Sequence, residues 1–104
     1  MPQTGNYLVR VRFDPEVADR VRERIWHESQ EMTDLAEGRL ELTMRLGALA
    51  EVESWILGWG RQAEVIEPKE LRMRLTTAAE GLLAVYKRDP AAARKGRGES
   101  GKVP

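Results

Sequence analysis

Leu40-Glu41-Leu42-Thr43-Met44-Arg45-Leu46 alternates apolar and polar residues without a break. Successive side chains of a strand point to opposite faces, so Leu40, Leu42, Met44 and Leu46 share one face. Glu41, Thr43 and Arg45 lie on the other. Just upstream, Asp34-Leu35-Ala36-Glu37-Gly38 reads as a hairpin-like connection, with Gly38 suited to positive φ. The polar residues 27–33 are then the antiparallel partner strand at a sheet edge, where their charge discourages edge-to-edge aggregation. Further upstream, Tyr7, Val9, Val11 and Phe13 alternate with Leu8, Arg10 and Arg12, which predicts a second half-buried strand.

Between these strands the pattern changes period. Asp14 fits an N-cap, Pro15 the first helical position, and Glu16 the positive end of the helix dipole. Val17, Val21 and Ile25 recur every four residues, predicting a helix that ends near Trp26. After Gly47, Leu49, Val52, Trp55, Ile56 and Trp59 predict a helix over residues 48–59, with Gly60 as its C-terminal glycine. Residues 63–67 (Ala-Glu-Val-Ile-Glu) form a short strand stopped by Pro68. A last helix from about Lys69 carries Leu71, Leu75, Ala78, Ala79, Leu82 and Tyr86 as its apolar stripe. The order βαββαβ plus a C-terminal helix is an α+β, ferredoxin-like arrangement with a four-stranded antiparallel sheet. Right-handed crossovers put the strands of Val11 and Leu42 side by side in the centre.

Composition narrows the chemistry. A chain of 104 residues, 41% apolar and 33% charged, suits one small globular domain. Seventeen Lys/Arg balance seventeen Asp/Glu, so no global field selects nucleic acid or cations. With no Cys and one His, disulfides, thiolate metal sites and a structural zinc site are excluded. No metal and no cofactor is expected. No apolar run is long enough for a membrane span and the first residues are no signal peptide, so the expected setting is cytoplasmic, away from membranes. Residues 1–86 hold eleven Lys/Arg against fifteen Asp/Glu, a net of −4. Residues 87–104 are net +4 and nearly free of large aliphatics, and residues 88–104 are expected to be a disordered basic tail. The folded domain is expected over residues 6–87.

The fold hosts many functions, so side chains must decide. A metal carrier of this fold needs a Cys pair, which is missing. An RNA-recognition module stacks bases on aromatics of the open sheet face, where this chain has Arg and Thr. An acylphosphatase-like cradle needs an Asn on a neighbouring strand, and the one Asn is Asn6. Arg10, Arg12 and Arg45 are candidates to receive a phosphate or carboxylate; beside Glu41 they also read as a cross-strand salt-bridged surface. Trp26-His27-Glu28-Ser29 is the densest cluster of functional groups. It makes Trp26 and His27 ligand-binding candidates, against the plainer reading of a His satisfied by backbone at a helix-to-strand junction. Trp55 and Trp59, one turn apart, are candidates to line a pocket, though helical spacing suits Trp55 better to the core, and Trp59 beside Gly60 is a candidate interface anchor. No catalytic constellation stands out.

Taken together, the segments VRVRFDPEVADRV, RIWHESQEM and EGRLELTMRLGALAEVESWILGWGRQAEVIEPKEL resemble the WCX-type C-terminal extension that follows WYL domains in bacterial helix-turn-helix regulators of the DeoR-like kind. The resemblance rests on Trp26, His27, Ser29, Gln30, Gly38, Trp55, Ile56, Leu57, Gly60, Val65, Glu67 and Pro68, and covers residues 7–86. It implies a non-enzymatic regulatory module for effector sensing and homodimerisation, with a nucleotide or nucleic acid as the implied effector. DNA is then contacted only through upstream WYL and helix-turn-helix regions, neither of which is present in this sequence. Met1 followed almost at once by a strand suggests a fragment, a truncated product or a split gene. The alternative is a free-standing ferredoxin-like domain that binds a small anionic ligand or has weak hydrolase activity.

Overall fold

The computed structural model describes residues 6–91. Residues 92–104, most of the expected basic tail, lie outside the described residues. The chain runs β1 (Tyr7–Phe13), α1 (Pro15–Arg22), β2 (Glu31–Asp34), β3 (Leu40–Leu46), α2 (Ala50–Leu57), β4 (Ala63–Glu67) and α3 (Lys69–Lys87). All strand pairs are antiparallel, in the order β2-β3-β1-β4. The fold is therefore the α+β arrangement expected. Val11 faces Leu42 in the β1–β3 register, so the two strands with the cleanest alternation are the central pair. Their inward residues Val9, Val11, Phe13, Leu40, Leu42 and Met44 are buried with Val17 and Val21 of α1, Val52 and Ile56 of α2, and Leu71 of α3. Helices cover this face, and Arg10, Arg12, Glu41 and Thr43 stay half-buried on the opposite one.

Several boundaries differ from the sequence reading, each for a local reason. The first helix stops at Arg22, four residues short of Trp26, and Ile25 is 83% exposed. The chain leaves the helix because Gln30 offers the backbone another set of partners. Its Oε1 accepts the N–H groups of Trp26 and His27, and its Nε2 donates to the Arg24 carbonyl. Asp14 holds the cap position with extended backbone, but its side chain makes no cap hydrogen bond. Its carbonyl instead accepts from Val17 and Ala18, and its N–H donates to the Gln62 carbonyl at 3.0 Å.

The second strand occupies only Glu31–Asp34, not the whole of residues 27–33. Arg22 ties it to α1, donating to Asp34 at 2.8 Å. That hydrogen bond holds the Arg22 guanidinium above its ordinary pKa, with further support from Asp19. The turn from β2 to β3 places Glu37 at φ 63° and Gly38 at φ 80°, the left-handed conformation for which glycine was expected. The second helix spans Ala50–Leu57 rather than residues 48–59, with Gly58 as its cap. Gly60 does have positive φ (65°), inside a following 3-10 turn. Ending the helix early lets Trp59 fold back onto Phe13.

The last helix departs most from expectation. Its stripe begins in the core, with Leu71 fully buried, and continues half-covered through Leu75 and Ala78. Beyond that point nothing among the described residues covers it: Leu82, Val85 and Tyr86 are 56%, 53% and 81% exposed.

Candidate functional site

The candidate residues divide between two faces of the sheet. Arg10 and Arg12 project from β1 onto the open face, where acidic neighbours meet them. Arg12 donates to Glu41 at 3.0 Å, and Arg10 lies 3.7 Å from Glu41 and 3.3 Å from Glu67. Glu41 on β3 is thus shared by two guanidinium groups, and its side chain is only 14% exposed. Arg45, farther along β3, is exposed and makes no ion pair among the described residues. Anion binding needs guanidinium groups with unspent charge. Here two carboxylates answer the two half-buried arginines, so the three Arg do not form one cradle.

Trp26 and His27 sit on the other side, at the ends of the helices. Trp26 follows α1 and donates its indole N–H to the Val21 carbonyl at 2.9 Å. All three tryptophans of the chain and its one phenylalanine converge there. Phe13 stands edge-on to Trp55 (5.9 Å between centroids) and Trp59 (5.5 Å). Trp26 lies 5.0 Å from Trp55 and 6.4 Å from Trp59. Guanidinium groups lie over two of these rings, Arg20 over Trp59 at 5.6 Å and Arg24 over Trp26 at 5.3 Å. Trp59, the expected interface anchor, is therefore half-buried within this cluster.

His27 is held by its neighbour. Its Nδ1 lies 2.7 Å from the Ser29 hydroxyl and accepts the Ser29 backbone N–H at 3.1 Å. An acceptor at Nδ1 places the ring proton on Nε2. Ser29 Oγ in turn accepts the Arg45 N–H at 2.9 Å and lies 3.3 Å from the Arg45 carbonyl. The hydroxyl stands in for a strand backbone just beyond the last β2–β3 pair, Glu31 with Thr43. That substitution explains why β2 begins so late.

Between this junction, the end of β3 and the start of α2 lies a half-open cleft of ≈ 700 Å³. Its walls include Trp26, His27, Met44, Leu46, Glu51 and Trp55. The size lies within the roughly 300–1,000 Å³ of small-molecule sites, and the mix of apolar walls with two polar groups is typical of them. Glu51 is a participant that sequence reasoning missed, and Trp55 one that it weighed as a pocket wall and assigned to the core. The helical spacing of Trp55 pointed to the core, and nothing distinguishes Glu51 from any other surface glutamate.

No group of three or more His, Asp or Glu side chains able to hold a metal occurs among the described residues. Likewise, no helix among them is long and apolar enough to cross a membrane. Compared with known families, the chain matches the model of the WCX domain over residues 5–83, from just before β1 into α3. No curated protein matches it.

Proposed function

This chain belongs to the WCX-domain family, and from that premise we propose that it is the non-enzymatic, regulatory C-terminal module of a WYL-type bacterial transcriptional regulator of the helix-turn-helix, DeoR-like kind. In this reading the module is cytoplasmic and contributes effector sensing and homodimerisation. Operator DNA is contacted through the upstream WYL and helix-turn-helix regions. The working unit is the domain of residues 6–87, with the basic residues 88–104 as an appendage.

The observation that carries the reading is the uncovered stripe of α3. Leu71, Leu75, Ala78, Leu82 and Val85 recur at alternating spacings of four and three, the seam of a helix pair. The first of them is the body's own core, and the last two face water beside Tyr86. A row of large apolar residues on a helix that runs on past the core it helps to form marks a surface for another protein. Two copies meeting antiparallel about Leu82 would set the small Ala78 against the large Tyr86 of the other chain. Such a contact uses the same patch twice and closes without forming a filament. Trp59 is the poorer anchor, because it is already engaged by Phe13, Trp26, Trp55 and Arg20.

Light scattering on the full chain at about tens of micromolar, alongside the double variant Leu82→Ser with Tyr86→Ser, tests the reading. The expected result is a dimer for the native chain and a folded monomer for the variant. A native chain that remains monomeric overturns homodimerisation through α3.

A further inference from the structure

We propose that the cleft bounded by Trp26, His27, Glu51 and Trp55 binds a planar aromatic cation, an aromatic or heteroaromatic ring carrying an ammonium group. The proposal deepens the sensing half of the function above by naming a ligand class, and it shares no residue with the α3 surface.

Three observations converge on that chemistry. The first is the wall composition. Trp26, Trp55, Met44 and Leu46 supply broad apolar surface for a flat ring, and among the described residues Glu51 is the one carboxylate on the walls. Among the described residues neither Lys nor Arg lines the cleft. An acid or phosphate entering it would meet Glu51 and no cationic lining residue, the Arg24 guanidinium being stacked on the Trp26 ring, whereas an ammonium group meets a carboxylate and indole surface together. The cleft lining thus favours a cation over an anion.

The second observation is how this aromatic cluster already behaves. Trp59 and Trp26 each take a guanidinium over a ring, from Arg20 and Arg24. Trp55 borders the cleft and has no such cation among the described residues. Within one cluster, then, two indoles have their cation from the chain itself, and the third faces a space large enough to admit one from outside.

The third is His27. Ser29 occupies Nδ1, which fixes the ring with its proton on Nε2, and that N–H makes no hydrogen bond among the described residues. The imidazole is therefore a preset donor on the cleft wall, suited to an acceptor atom on the ligand ring. Together these groups describe a ring lying against the joined Trp26–Trp55 indole wall, an ammonium near Glu51 and a ring acceptor near His27.

Tryptamine, the neutral N-acetyltryptamine and the anionic indole-3-acetate share one ring and differ in charge, so they separate stacking from electrostatics. Each is titrated into the ¹⁵N-labelled full-length chain while the indole Nε1–H signals of Trp26 and Trp55 are followed by NMR. Tryptamine is expected to shift both signals saturably, and N-acetyltryptamine to bind about five-fold more weakly. Indole-3-acetate should bind more weakly still. Glu51→Gln, an exposed and conservative change, should reduce tryptamine to the level of the neutral analogue. Equal binding of the amine and the acid, unchanged tryptamine affinity in Glu51→Gln, or no saturable shift at Trp26 and Trp55 would overturn the proposal. Repeating the titration in the Leu82→Ser, Tyr86→Ser background reads the cleft whether or not the chains associate, so failure of the dimer reading leaves this result interpretable.

Discussion

Two helices of this protein carry apolar stripes of similar make-up and meet opposite fates. On α1, Val17 and Val21 are fully buried against the sheet, and the stripe ends where the helix ends. On α3, Leu71 is fully buried and Leu75 and Ala78 are half-covered, yet the same stripe continues through Leu82, Val85 and Tyr86 into water. Burying apolar surface is the main favourable term in folding, so a stripe left uncovered contributes nothing to the stability of the lone chain. The sheet, α1, α2 and the first part of α3 up to Ala78 accordingly share one core. The remainder of α3 makes energetic sense once another surface lies against it.

That contrast predicts a graded series of responses. Phe13 is fully buried and edge-on to both Trp55 and Trp59, so Phe13→Ala should destabilise the body most, by about 3–5 kcal/mol in a urea titration. A loss under about 1 kcal/mol would show that the aromatic cluster is not part of the cooperative core. Leu42, at the centre of the sheet with no exposed surface, should cost about 2–5 kcal/mol on truncation to Ala. Near-zero destabilisation would remove β3 from the core. Ser29→Ala deletes one hydroxyl that serves both His27 and Arg45, and about 1 kcal/mol is expected. If the hydroxyl does extend the β2–β3 edge, the Arg45 amide should also lose hydrogen-exchange protection.

The smallest effect on folding should come from the most apolar exposed surface. Leu82→Ser is expected to change the stability of the dilute chain by no more than about 0.5 kcal/mol. Thermal melts at low concentration check this directly. A change approaching that of Leu42→Ala would mean that α3 is covered within the single chain, and the contrast between the two helices would fail.

The same contrast explains how much could be read in advance. Strands β1 and β3 were legible because period-two alternation over seven residues has no other good solution, and their central placement followed from the crossovers. The end of α1 was not legible, because Ile25 continues the four-residue spacing of Val17 and Val21 while Gln30 draws the backbone away. That competition involves a polar side chain six residues beyond Arg24 and leaves no periodic trace. The short β2 has a similar cause, since a serine hydroxyl that substitutes for backbone looks like any serine. Trp26 and His27, ligand-binding candidates from their clustering, line the cleft, while for Arg10 and Arg12 the period-two pattern already placed Glu41 on their face, and only the second partner of Arg10, Glu67, left no sign in the sequence. For α3, spacing identified the apolar face correctly. Periodicity reports that a face is apolar and carries no information about what covers it.

Hydrogen exchange along residues 79–87 tests the association of α3 most directly, because it reads the helix itself. An unsupported helical overhang frays, while one packed against a second copy is protected in proportion to the dimer formed. Protection of these amides in the native chain is therefore predicted to rise with protein concentration and to vanish in the Leu82→Ser, Tyr86→Ser variant, while the β1 and β3 amides stay protected in both. Fast exchange at residues 79–87 in native chain and variant alike, at every concentration, would contradict it.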